Sequence, residues 1–178
     1  MNFKYSFGIT EVSAIMISTI LIVCLSHLFQ VCGWPYEIEV MSLLYTVIAV
    51  LFGITTDSIV VIATALLSAS VYGQEVDVIA VLAYLAIAIY IGHYMNHFGV
   101  RRGEFKKEQI LLYLSIHAIS NILMFLFFIP LARFLIERVN LHMTVRRGAI
   151  TSVVLTACNV LLIPLFVMLS RIKGKRDK

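Results

Sequence analysis

Apolar residues run along this chain in long stretches, with the charged residues gathered between them. Four stretches, 12–31, 79–98, 110–131 and 149–170, contain no Asp, Glu, Lys or Arg. Each has about the 20 residues that a helix needs to cross a hydrocarbon layer roughly 30 Å thick. The pattern therefore predicts four transmembrane helices at these positions.

A fifth apolar stretch, 38–73, is too long for one crossing, since a helix of that length would measure about 54 Å. Its middle carries Gly53 and Asp57, and a carboxylate facing lipid there costs roughly 3 kcal/mol. We predict a hairpin instead, with one helix over 40–52, a turn at 53–57 and a second helix over 58–72. The predicted total is six spans.

Composition excludes the soluble classes of protein. The 178 residues are 61% hydrophobic and 13% charged, with a mean hydropathy of +0.96. Soluble domains average about 45–50% apolar residues and about 25% charged residues. This apolar content excludes a soluble enzyme and a disordered chain. A nucleic-acid binder is excluded as well, because the net charge of +4 comes from short basic runs between apolar stretches. A cleaved secretory signal is disfavoured, because the first span is long and lacks an A-x-A site.

Lys and Arg counts predict the orientation. With both termini in the cytoplasm, ten of the 14 bases lie inside, at Lys4, within 101–107 and in a basic tail over 171–178. Two outer connections carry only acidic charges: Glu37, Glu39, Glu75 and Asp77. The positive-inside rule thus predicts an all-α integral protein of the plasma membrane. It forms one domain, residues 1–178, a compact bundle of six helices with cytoplasmic termini.

The connection between the fifth and sixth spans is predicted to be an external loop, and it breaks the charge pattern. It carries one acid and four bases: Glu137, Arg133, Arg138, Arg146 and Arg147. One interpretation is that the arginines are simply solvated. The other is that the loop caps an anionic solute, because the guanidinium fork suits carboxylate and phosphate. His142 and Met143 can ligate a metal, so a tetrapyrrole such as haem is one candidate solute beside a carboxylated vitamin.

Polar residues inside the spans are either interhelical contacts or ligand contacts. Asn121 and Asn159 lie near mid-membrane, and His27 lies at the outer end of the first span. Trp34 in the next connection is an interfacial anchor or an aromatic lid. The candidate substrate-binding residues are His27, Trp34, Tyr84, Asn121, Arg133, Arg138, His142, Arg146 and Asn159.

Catalytic motifs are absent from the sequence: it has no Walker A, HExxH or GxSxG pattern and no CxxC pair. We expect a protein that binds a solute without transforming it, that holds no metal or cofactor of its own and that hydrolyses no ATP. Asp57 is the only carboxylate predicted near membrane depth, which disfavours a small facilitator or proton-driven carrier.

Two short segments carry a family resemblance. Residues 14–18, AIMIS, place small Ala14 and Ser18 four apart on the first span, and residues 51–57, LFGITTD, form a glycine-containing passage between the second and third. With six short spans and cytoplasmic termini, the chain resembles the substrate-binding S component of energy-coupling-factor (ECF) importers. The resemblance implies capture of an extracellular micronutrient, docking through Ala14 and Ser18 on a membrane scaffold (T) subunit, and power from two ATPase (A) subunits.

A competing interpretation is a six-helix sensor or assembly subunit that transports nothing. The tail over 171–178 carries no signalling domain, which disfavours a receptor that acts alone. Under either interpretation the partners are the lipid bilayer and other membrane proteins, and no nucleic acid is expected.

Overall fold

The computed structural model describes residues 8–33, 37–73 and 75–176, and these ranges are helical without strands. A 3₁₀ turn at Val100–Arg102 follows the fourth helix, and a π-helical segment at Ile122–Phe128 follows the fifth. The α-helices are α1 (Ile9–Val31), α2 (Glu37–Phe52), α3 (Ile54–Tyr72), α4 (Val78–Phe98), α5 (Lys107–Asn121), α6 (Ile129–Glu137), α7 (Leu141–Leu161) and α8 (Ile163–Arg176).

Five helical stretches of the described chain are long and apolar enough to cross a membrane: Ile9–Val31, Ile54–Tyr72, Val78–Arg102, Lys107–Glu137 and Leu141–Ile172. A sixth apolar helix, Val40–Phe52, is shorter. Large apolar side chains also point outward, as at Ile136 (72% exposed) and Leu161 (75% exposed). In water this surface costs about 25 cal/mol per Å², so the bundle has the character of a membrane-spanning protein.

The connections between the helices are short, so successive spans alternate in direction and the bundle has two ends. Gly53 and the connection 99–106 mark one, which we call the Gly53 end. The connections 73–77 and 138–140 mark the other, the Asp77 end. Helix α3 packs against α1, α2 and α4, and α7 packs against α5, α6 and the π segment. Helices α2 and α4 join the two groups.

An aromatic core fills the half of the bundle nearer the Gly53 end. The buried ring of Tyr113 meets Phe98, Phe105 and Phe166 edge-on, with centroids 5.6, 6.0 and 5.4 Å away. The Phe105 amide also donates to Ser170 Oγ at 3.2 Å. These contacts hold the connection 99–106 and α8 against α5.

The turn between α2 and α3 is tighter than the sequence analysis predicts. A single residue, Gly53 (φ +86°), connects the helices, and Asp57 lies in the first turn of α3 rather than in a five-residue turn. Glycine alone adopts this backbone conformation without strain. Gly92 of α4 completes the arrangement, because a Cβ there would lie 2.6 Å from the Ile54 nitrogen.

The predicted external loop before the sixth span is mostly helical, which corrects that expectation. Helix α6 extends to Glu137, Arg138 ends it in the left-handed conformation (φ +56°), and α7 begins at Leu141. The Asn140 side chain caps α7 by accepting from the His142 and Met143 amides at 3.0 and 3.4 Å. Because Arg138 ends α6 and Asn140 caps the start of α7, only residues 138–140 separate the two helices.

Proline shapes the last two long spans. Pro130 has no N–H, and just before it the Ile129 amide donates to the Met124 carbonyl, five residues back, which is the π-helical spacing. Pro164 likewise lies in the first turn of α8, just after Leu162, which separates α7 from α8. The predicted sixth span, 149–170, therefore crosses two helices, and residues 171–176 of the predicted tail continue α8.

Gly148 lets α7 touch the π segment, since a Cβ there would lie 1.8 Å from the Phe125 carbonyl oxygen. We predict that Gly148→Ala destabilises the protein by about 1–3 kcal/mol, because the two helices must separate. Thermal unfolding in lipid nanodiscs measures the loss. Val153→Ile, which adds the same carbon at an outward position of α7, is the control, and equal melting temperatures for both variants would contradict the close approach.

Candidate functional site

A cavity of about 560 Å³ lies among α1–α4, the π segment, α6 and α7, in the half of the bundle nearer the Asp77 end. Cavities of about 300–1,000 Å³ are typical for small-molecule ligands. Its charged and polar lining residues near that end are Asp77, Arg133, Glu137, Thr144 and Arg147. Deeper in the bundle, aromatic and apolar side chains form most of the surface, together with Ser26, Thr64 and Thr151. The cavity therefore offers charged contacts near one end of the bundle and an apolar interior.

Three rings form the deep surface. Tyr84 of α4 lies between Tyr45 of α2, with centroids 5.0 Å apart, and Phe125 of the π segment, 6.5 Å away in an edge arrangement. Rings fixed by one another in this way bind flat apolar groups at little cost in side-chain entropy. The π segment brings Phe125 to this surface while its carbonyl rests on Gly148.

An ion bridge joins α4 to α6 at the cavity. Arg133 Nη1 donates to both carboxylate oxygens of Glu137, at 3.2 and 3.0 Å, and Nη2 pairs with Asp77 Oδ2. Asp77 also caps α4, because its Oδ1 accepts from the Ala80 amide at 3.0 Å. We call Asp77, Arg133 and Glu137 the acidic bridge, since two carboxylates share one guanidinium.

Arg147 is the other cation of the cavity. Its exposed side chain makes no hydrogen bond or ion pair with the described residues. Helical spacing places it beside Thr144, Gly148 and Thr151 on one face of α7, and all four residues line the cavity. Its guanidinium is therefore available to an anionic group of a solute.

Two of the candidate residues from the sequence, Tyr84 and Arg133, line the cavity. Arg146 and His142 instead border a separate shallow groove along α7 with Leu141, Val145 and Ala149. Arg138 is exposed at the end of α6, and Trp34 lies outside the described residues. The structure thus gathers only part of the proposed set.

Three more candidates make interhelical contacts away from the cavity. His27 of α1 stacks on Tyr72 of α3, with ring centroids 3.9 Å apart and planes 3° from parallel. Asn159 Oδ1 accepts from the Tyr113 hydroxyl at 3.1 Å, and Asn121 Nδ2 donates to Thr156 Oγ1 at 3.3 Å. These contacts support the interpretation of the polar positions as links between helices.

The sequence analysis missed Tyr45, Asp77, Phe125, Glu137 and Arg147 as members of one site. The sequence does contain a signal for Arg147, because Asn140 is a residue type that strongly favours the N-cap of a helix. A helix that starts there places residues 144, 147, 148 and 151 on one face. A loop has no such periodicity, so the prediction of a loop included Arg146 in the candidate site and left Arg147 out.

The two residues that suggested a tetrapyrrole lie outside the cavity lining. His142 and Met143 do not line the cavity, and the described part of the chain holds no group of three or more His, Cys, Asp or Glu side chains placed to bind a metal ion. A solute held by side-chain charges and ring contacts fits the lining residues better.

Comparison of the chain with protein-family models, curated proteins and solved structures gives no match.

The acidic bridge generates a stability prediction. Asp77→Asn keeps the helix cap, since asparagine caps as well as aspartate, but removes the charge facing Arg133. In a double-mutant cycle with Arg133→Gln, we expect a coupling of about 0.2–1 kcal/mol, as for other partly exposed pairs. Thermal unfolding at low salt and in 1 M NaCl measures it, and strictly additive losses at low salt would show that the pair does not interact.

Proposed function

We propose that this chain is the substrate-capture subunit of an ECF-type importer in the plasma membrane. In this proposal the cavity receives a micronutrient from the extracellular side, and partner ATPases drive its delivery inward. The observation that carries the proposal is the cavity, in which Arg147, whose guanidinium has no ion-pair partner among the described residues, lies on the same surface as a set of aromatic rings.

Charge supports the orientation that this function needs. At the Gly53 end the exposed bases are Arg101, Arg102, Lys106, Lys107 and Arg171. At the Asp77 end the bases are Arg133, Arg138, Arg146 and Arg147, and the count over the full sequence assigns ten of the 14 bases to the Gly53 side. The positive-inside rule then favours a cytoplasmic Gly53 end, with the cavity toward the outside.

The outward surface of α1 supports a division of labour with a scaffold subunit. Ala14 and Ser18 are half-buried at the border of that surface, beside outward-facing Met16 and Ile17. Small residues at this spacing let a second helix approach closely.

Asp57 favours a second candidate, a carrier that works without ATPases. Its side chain is 1% exposed, and neither carboxylate oxygen has a hydrogen-bond partner in the described chain. It lies two helical turns from Thr64 of the cavity lining, on the same face of α3. Buried carboxyl groups in membrane spans serve proton relays in many carriers. Uptake by proteoliposomes that contain this chain alone, lost in Asp57→Asn, would favour this candidate over the importer subunit.

Native mass spectrometry of the protein purified in mild detergent tests solute capture. We expect a retained small molecule that is lost in Ala80→Phe, because Ala80 lines the cavity and a ring there fills it. Ala86→Phe on the same helix is the control, since Ala86 borders a separate groove with Ile89 and Leu123. A wild-type protein without any bound molecule, or one that keeps it in Ala80→Phe, would argue against capture in this cavity.

Docking through α1 is tested by co-purification with a co-expressed T subunit and its ATPases. We expect Ala14→Leu to reduce recovery of the complex at least several-fold, because the larger side chain keeps the partner helix away. Met16→Leu, at a neighbouring outward position, should leave recovery unchanged. Equal recovery of both variants would remove this docking surface from the proposal.

A further inference from the structure

The charges that line the cavity form two separate groups. Asp77 and Glu137 share Arg133, so the acidic bridge carries a formal charge of −1. Arg147 carries +1 and pairs with neither carboxylate. The cavity is therefore neutral in sum but divided into an acidic and a basic part.

Each part favours a different group on a solute. A carboxylate gains a bidentate, charge-assisted contact from Arg147, whose guanidinium has no partner in the part of the chain that the structure describes. A second anionic group finds Arg133 already bound by two carboxylates and meets their charge. A protonated amine beside the acidic bridge instead offsets its net negative charge.

We infer that the captured solute carries one carboxylate, bound by Arg147, and a separate protonated amine or equivalent cationic donor, bound beside Asp77 and Glu137. Its body is aromatic or apolar and rests on the rings of Tyr45, Tyr84 and Phe125. This inference rests on the proposed function, because it names the chemical class of solute that the cavity captures.

The division of charge narrows the candidates from the sequence. In the sequence, the connection between the fifth and sixth spans has four arginines and one acid, which favours an anionic solute. In the structure, Arg138 and Arg146 lie outside the cavity lining. Arg133 is paired with Asp77, an acid that the sequence analysis did not include in the site. A solute with opposite charges pairs each of its groups, whereas the second carboxylate of a dianion meets the net negative charge of the acidic bridge.

Calorimetric titration of the full chain in nanodiscs at pH 7 tests this charge pattern. The probes are 4-(aminomethyl)benzoate and the longer 4′-(aminomethyl)biphenyl-4-carboxylate. Each is compared with a counterpart that keeps only the carboxylate and one that keeps only the amine. We expect at least one two-charge probe to bind about tenfold tighter than both of its single-charge counterparts, as one charge-assisted contact provides.

Variants of α7 assign the carboxylate contact. Arg147→Gln should bring the two-charge probe to the affinity of its amine-only counterpart, and Arg147→Lys should retain part of the difference, because it keeps the charge. Arg146→Gln, one residue away in the separate groove, should bind like the wild type. Matching melting temperatures confirm that the variants are folded.

Three results overturn the inference. The first is a carboxylate-only probe that binds as tightly as its two-charge counterpart, which shows an anion site. The second is an unchanged preference for two charges in Arg147→Gln. The third is an absence of binding by every probe. None of them decides solute capture, which depends on the retained molecule and the Ala80→Phe variant.

Discussion

The absence of water around the middle of the bundle is the constraint on which the rest of the structure depends. Side chains such as Ile136 and Leu161 face outward because lipid accepts them. Charged groups are consequently confined to the two ends, or to an interior space that opens at one of them. The cavity is such a space, because the acidic bridge and Arg147 line it near the Asp77 end.

Two local departures from ideal helix geometry build the cavity surface. Ahead of Pro130 the helix widens into a π turn, which places Phe125 beside Tyr84. Gly148 then allows α7 to approach the Phe125 carbonyl, and that approach brings Arg147 to the same space. Such π segments commonly mark functional sites. Helix packing and solute contact thus depend on the same few residues, so changes at Gly148 affect both stability and the shape of the cavity.

Much of the helical architecture could be predicted from the sequence, because uninterrupted apolar runs have few alternatives. The positions of α1 and α4 and a hairpin centred on Gly53 follow from such runs. The site was harder to predict. Arg133 and Tyr84 were identified, but Arg147 was passed over for Arg146, since one residue of helical register decides which face an arginine occupies. The bridge to Asp77 joins residues 56 positions apart, and no periodicity reports a contact at that separation.

The most direct test of the account is the side of the membrane from which the cavity can be reached. In a chain without its native cysteines, Thr144→Cys places a thiol in the cavity lining and Lys107→Cys places one at the Gly53 end. The account predicts that a membrane-impermeant maleimide modifies Thr144→Cys in intact cells and Lys107→Cys only after lysis. Modification of Lys107→Cys in intact cells, with Thr144→Cys protected until lysis, would turn the cavity toward the cytoplasm and contradict solute capture from outside.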